Sequence, residues 1–225
     1  KMTGEAKRSA ENLIRAFTGL CLILVPLVMI IGFFAHPNIT SVEVTKAASG
    51  WVSEFRHNAT WGYAHLAVML LSPLLIAIAL TFPRLVRPQA PWLALIGGAL
   101  AIFGSCLLMA DKGALYMVPN AMETLTDEQF ALAMPVVEAM FNRAGALGLL
   151  KLLPTLMIGF VLLGVGLFKV PGIAKWKAGA IVLGFFLLLN PDIDIISGFA
   201  SLIILIGMAP IGLDILQGKL DAKAD

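Results

Sequence analysis

The chain has 225 residues, of which 59% are hydrophobic and only 13% are charged, and its mean hydropathy is +0.91. A soluble domain is about a quarter charged and less than half apolar, so this composition excludes a soluble enzyme, a nucleic-acid-binding domain and a disordered chain. The formal net charge of +2 is too small to indicate a polyanionic partner such as a nucleic acid. The composition therefore predicts an integral membrane protein whose main partner is the lipid bilayer.

Six apolar segments are long enough to cross a bilayer, because about 20 helical residues span about 30 Å of hydrocarbon. Backbone polar groups in lipid need internal partners, so each span is expected to be an α-helix. The predicted spans are Leu13–Phe34, Trp61–Phe82, Pro91–Ala110, Ala144–Phe168, Trp176–Leu189 and Ile195–Leu216. We predict an all-α, polytopic six-helix bundle that forms one transmembrane domain over residues 1–225, built from hairpins at 13–82, 91–168 and 176–216.

Two connecting segments carry the pattern of an amphipathic helix. Thr40-x-x-Glu43 and Thr126-x-x-Gln129 have the spacing of a capping box, and apolar residues follow each of them at helical intervals. We expect both helices to lie along the extracytoplasmic membrane surface, where they would dock partner membrane proteins. The predicted helices cover about residues 42–57 and 127–141.

The basic residues indicate the orientation of the spans, since cytoplasmic segments of membrane proteins carry an excess of lysine and arginine. With the N-terminus inside, most of the 16 lysines and arginines fall on the cytoplasmic side. These residues are Lys1, Lys7, Arg8, Arg15, Arg84, Arg87, Lys169, Lys175, Lys177, Lys219 and Lys223. We therefore predict that both termini are cytoplasmic and that the chain lies in the plasma or inner membrane.

Ionisable groups near the extracytoplasmic ends of the spans form the candidate site, because a charge inside a bilayer is costly and usually functional. Lys151 lies deepest, about 10 Å below the start of its span. The candidate partners of its ammonium group are the carboxylates of Asp111, Asp192 and Asp194, of which Asp111 is the nearest by depth. Lys151, Asp111 and His65 would line one outer-leaflet pocket for a lipid headgroup or a small anion. The alternative is that such residues only anchor helix ends at the interface. The candidate ligand-binding residues are His65, Asp111, Lys151, Tyr63, Arg143, Asp192 and Asp194.

The sequence contains no phosphate-binding loop, nucleophile elbow or zinc-protease motif. Its histidines, His36, His57 and His65, are candidate ligands of a haem or, with Met117 or Met122, of a copper ion. Only His65 lies inside a predicted span, so the identity of any cofactor stays open.

Three classes of function remain. An accessory or ligand-binding subunit of a membrane complex, rather than an enzyme, is favoured because no polar path crosses both leaflets and no catalytic constellation is complete. The alternatives are a small transporter or flippase for an apolar or amphipathic solute, and an outer-leaflet lipid-modifying enzyme or haem-binding membrane subunit. A cavity that reaches the cytoplasmic side would favour transport, whereas a carboxylate within hydrogen-bond reach of His65 would favour an enzyme.

Overall fold

A computed structural model of the protein describes residues 4–36, 39–40, 42, 52, 56, 59–190 and 193–220. Within these residues the protein is all-helical, which confirms the predicted class, and it contains seven α-helices, one 3₁₀ helix and no strand. The 3₁₀ helix covers Gly145–Leu152. The α-helices are α1 (Gly4–Phe34), α2 (Ala59–Val86), α3 (Pro91–Met122), α4 (Asp127–Phe141), α5 (Thr155–Leu167), α6 (Lys175–Leu187) and α7 (Asp194–Leu216).

Five helical segments in the described part of the chain are long and apolar enough to cross a membrane, which suggests a multi-pass membrane protein. The structure does not confirm the predicted span Trp176–Leu189. The corresponding helix α6 has 13 residues, which measure about 20 Å and fall short of about 30 Å of hydrocarbon. Helical hydrogen bonds continue as far as Asn190. The five segments are Arg8–Phe34, Ala59–Val86, Pro91–Met122, Gly145–Leu167 and Asp194–Leu216.

Six of the helices close a ring in chain order. Helix α1 packs on α2, α2 on α3, α3 on α5, α5 on α6 and α6 on α7, and α7 returns to α1. Aromatic rings fill the centre: Phe160 stacks on Phe185 with 4.5 Å between the centroids, and Phe82 meets Phe160 edge-on. Large apolar side chains also face outward, such as Leu13 and Ile31 of α1. An apolar core combined with an apolar exterior is the arrangement that lipid solvates.

Helices α3 and α5 approach each other closely because glycine lies at their contact. A β-carbon at Gly159 would lie 2.3 Å from the backbone nitrogen of Ala101, and one at Gly104 would lie 2.3 Å from that of Leu156. No other residue fits at such distances, so small residues set the separation of these two helices, as they often do in membranes.

Helix α3 is longer than the predicted third span, which ends at Ala110. It continues through Asp111 and Pro119 to Met122. The added turns are stabilised because their apolar side chains join a second core, formed by Trp61, Met122, Phe130 and Val137 with Leu115 and Val118 packed against it. The segment after Asp111 is therefore partly a projecting helix rather than a loop.

Helix α4 supplies two side chains of this second core and has the predicted bounds, 127–141. The Thr126 hydroxyl accepts a hydrogen bond from the Gln129 backbone N–H at 3.3 Å, and the Gln129 side chain accepts one from the Thr126 N–H at 3.1 Å. This capping box confirms the predicted start of the helix. Its placement along a membrane surface stays a prediction. The other predicted helix, at 42–57, lies almost entirely outside the described residues.

The predicted fourth span, Ala144–Phe168, is not one continuous α-helix. A 3₁₀ helix ends at Leu152, and α5 begins at Thr155, directly after Pro154. Proline has no backbone N–H and its ring clashes with the preceding turn, so it interrupts the hydrogen-bond ladder. The Thr155 hydroxyl donates a hydrogen bond to the Leu152 carbonyl at 2.7 Å, which compensates in part for the interruption.

Candidate functional site

Polar side chains gather at one end of the ring, where α1 ends and α2 and α7 begin. We name it the His36 end, and we name the opposite end, which carries Arg15, Arg84 and the Lys177–Asp214 ion pair, the Arg15 end. The candidate residues His65, Asp111, Arg143 and Asp194 lie toward the His36 end, and the structure arranges them in two groups.

The first group is centred on the carboxylate of Asp111, whose residue is only 5% exposed. One oxygen lies 3.5 Å from the Arg143 guanidinium, and the other lies 3.2 Å from the Lys112 ammonium. The side chains of Lys112 and Arg143 are 25% and 32% exposed, respectively. One buried carboxylate is therefore shared by two partly exposed cations. These three residues, the Asp111 cluster, carry a net positive charge.

Arg143 reaches Asp111 from an unusual backbone conformation. Its φ angle is 50°, in the left-handed region that costs a non-glycine residue about 1–3 kcal/mol. The residue lies between α4 and the 3₁₀ helix, next to a second left-handed turn at Gly145 with φ of 56°. The ion pair with Asp111 ties this junction to α3.

The second group contains two histidines and one carboxylate. The His65 ring is buried, and its Nδ1–H donates a hydrogen bond to the carbonyl oxygen of Trp61 at 2.8 Å. The His36 ring lies nearly parallel to it, at 19° and 5.3 Å between centroids. The Nδ1 of His36 is 3.1 Å from the Asp194 carboxylate. His36 thus connects His65 to Asp194.

Lys151 requires a correction to the expected pairing. It is exposed on the 3₁₀ helix and forms no ion pair with any residue that the structure describes, whereas Lys112 and Arg143 occupy the Asp111 carboxylate. The expectation assumed a continuous α-helix through Lys151. The 3₁₀ helix and the break at Pro154 change which side of the span this residue faces.

Tyr63 belongs to a different feature, a groove between the first turns of α2 and the last turns of α3. The groove holds a cavity of about 90 Å³. The two tyrosines of the chain, Tyr63 and Tyr116, both line it. We name it the tyrosine groove, and its lining residues are Ala59, Trp61, Gly62, Tyr63, Tyr116, Pro119, Asn120 and Glu123.

The cofactor predictions gain no support from this geometry. Among the residues that the structure describes, no group of three His, Cys, Asp or Glu side chains is placed to hold a metal ion. His36 and His65 lie against each other, whereas the axial ligands of a haem lie on opposite faces of its iron. His57 and the candidate site residue Asp192 lie outside the described residues.

The sequence reasoning missed three participants in these groups. Lys112 and Tyr116 are not among the candidate residues predicted from sequence, and His36 is predicted only as a ligand of a haem or a copper ion. Tyr116 follows Lys112 by four residues, so the two residues lie on the same face of α3. The predicted third span ends at Ala110 and therefore includes neither of them.

Comparisons with protein family models, curated proteins and solved structures find no match to this chain.

Proposed function

We propose that the chain is a ligand-binding, accessory subunit of a membrane complex and that it holds the phosphate group of a lipid headgroup at its His36 end. The Asp111 cluster carries this proposal. Asp111 fixes the positions of Lys112 and Arg143, and their summed charge exceeds that of the carboxylate. A partly exposed guanidinium and ammonium are suited to phosphate, which accepts strong, charge-assisted hydrogen bonds.

The level of the polar groups along the bundle supports a headgroup as the ligand. Asp111 lies about 30 Å along α3 from its first residue, Pro91. Asp194 lies about 30 Å from Asp214 at the other end of α7, and His65 about 29 Å from Arg84 on α2. This is about the thickness of the hydrocarbon core. The polar residues of three helices therefore lie about one bilayer thickness from residues of the Arg15 end.

Charge and exposure support the proposed orientation and the accessory role. The basic residues of the Arg15 end favour the cytoplasmic side, so we place the His36 end on the extracytoplasmic side of a plasma or inner membrane. On α4, Leu132 and Val136 are 83% and 60% exposed, whereas Phe130 and Val137 of the same helix are buried. A partner subunit of the complex would cover these exposed apolar groups.

A second candidate function, transport of an amphipathic solute, is favoured by the interrupted fourth span. Discontinuous helices form substrate sites in many transporters, because their interrupted backbone leaves polar groups inside the membrane. The lipid-modifying enzyme receives less support. The His65 ring meets a carbonyl oxygen, and the carboxylate of Asp194 meets His36 instead.

Native mass spectrometry tests the headgroup proposal. The protein is released from nanodiscs of equimolar dioleoylphosphatidylglycerol and digalactosyldiacylglycerol, of which only the first carries phosphate. We expect the wild type to retain the phospholipid and Lys112→Gln/Arg143→Gln to retain at least about tenfold less, since each lost charged hydrogen bond contributes about 1.5–3 kcal/mol.

The matched control is Lys169→Gln/Lys219→Gln, which removes the same charge at exposed positions of the Arg15 end. It should keep most of the bound phospholipid. Where the double variant unfolds, Lys112→Gln alone is compared with Lys169→Gln. Wild type that retains the galactolipid equally well, or equal retention by both double variants, would contradict the proposal.

A further inference from the structure

We propose that the tyrosine groove binds an organic ammonium group, such as the head of a choline or ethanolamine lipid. The groove would bind the ammonium half of the headgroup. This inference rests on the proposed function, in which the lipid phosphate lies at Lys112.

The lining has the chemistry that an organic cation requires. Tyr63, which is 65% exposed, and Tyr116 contribute aromatic rings, and rings of this kind attract ammonium groups through their electron-rich faces. Asn120 and Glu123 belong to the same lining. The two aromatic rings therefore suit a positively charged group, unlike the Asp111 cluster.

The cavity of about 90 Å³ is partly open to the surface and can admit a methylated ammonium group. Gly62 keeps the space open. A β-carbon there would lie 3.8 Å from the ring of Tyr116, so any longer side chain would enter the space beside that ring.

The register of α3 connects the groove to the Asp111 cluster. Lys112, Tyr116, Asn120 and Glu123 follow one another at intervals of four, four and three residues, so they share one face of the helix. Tyr116 lies one turn, about 6 Å, beyond Lys112. A phospholipid whose phosphate meets Lys112 would thus carry its ammonium group to the next turn. The two neighbouring surfaces have opposite preferences, as the two charges of a zwitterionic headgroup require.

The first test uses nanodiscs of equimolar dioleoylphosphatidylcholine and dioleoylphosphatidylglycerol, which both carry phosphate but differ in the ammonium group. Native mass spectrometry should show that the wild type retains phosphatidylcholine about three- to tenfold over phosphatidylglycerol, in the range of a cation–π contact. Tyr63→Leu/Tyr116→Leu should lose the preference. The matched control Tyr63→Phe/Tyr116→Phe keeps both rings and should keep it. A wild type without preference, or a phenylalanine pair that behaves like the leucine pair, would overturn the inference.

A further variant leaves both tyrosines in place. Gly62→Leu fills the space beside Tyr116 and should lower the preference for phosphatidylcholine to near one. Gly179→Leu, at a glycine of α6 whose nearest side-chain neighbour is Phe168 at 3.7 Å, is the control for a glycine replaced elsewhere. A preference that survives Gly62→Leu unchanged would place the ammonium group outside the groove and overturn the inference.

The second test separates a lipid headgroup from a free solute. The delipidated protein in detergent is titrated with choline and with its uncharged isostere 3,3-dimethylbutan-1-ol, and tryptophan fluorescence is recorded. Saturable binding of choline, without binding of the isostere, would support an ammonium site in the groove. It would also mean that free ammonium compounds are ligands of this site. A preference seen only in nanodiscs supports the lipid source. The two proposals fail separately: choline binding without phospholipid retention contradicts only the phosphate site, and retention of both phospholipids without preference contradicts only the ammonium site.

Discussion

Asp111 shows how one residue can be found from sequence while its partner is not. A carboxylate beside a long apolar run is conspicuous because burial of a charge is costly, and the same argument selected His65, Arg143 and Asp194. The pairing depends on how the helices are rotated about their axes, which composition does not encode. Arg143 reaches Asp111 through a left-handed turn that no spacing rule predicts.

A double-mutant cycle tests the observed pairing. Asp111→Asn and Arg143→Gln are made alone and together, and thermal unfolding is measured in detergent. Removal of Arg143 weakens the compensation of a buried carboxylate, so the double variant should be less destabilised than the sum of the two, by about 0.5–3 kcal/mol. The cycle of Asp111→Asn with Lys151→Gln should be additive within about 0.5 kcal/mol. Coupling to Lys151 but not to Arg143 would contradict the described geometry.

Helix α4 is the element that the sequence predicted best. Its capping box and its apolar spacing gave the bounds that the structure has, because both signals are local. The elements predicted less well depend on distant contacts. Helix α3 extends past Ala110 because its last turns pack on Trp61 and Phe130, and the fourth span is interrupted at Pro154 where the pattern alone indicates one apolar run.

Two residues of α4 distinguish its packed face from its outward face. Phe130 is 3% exposed within the second core, whereas Leu132 is 83% exposed. Phe130→Ala should cost several kcal/mol, in the range of about 3–5 for a buried aromatic, and should speed hydrogen exchange of the α4 amides. Leu132→Ala should change exchange little in the isolated protein. Equal exchange in the two variants would mean that α4 does not dock through Phe130.

The whole molecule is a ring of helices with unlike ends. The His36 end carries the Asp111 cluster, the histidine pair and the tyrosine groove, whereas the Arg15 end carries most of the described basic side chains. Hydropathy predicted the helical class and the membrane setting, since both depend on composition along the chain. It did not predict that α7 returns to α1 and so places Asp194 beside His36, because ring closure is a contact between distant segments.

The central claim is that the His36 end meets the extracytoplasmic membrane surface, where headgroups reach the Asp111 cluster. Both cysteines are free thiols, so Cys21→Ala/Cys106→Ala provides a background for single cysteines at the exposed positions of Asn120 and Lys169. With a membrane-impermeant maleimide, we predict labelling of Asn120→Cys in intact cells and of Lys169→Cys only after permeabilisation. The reverse pattern would contradict the claim.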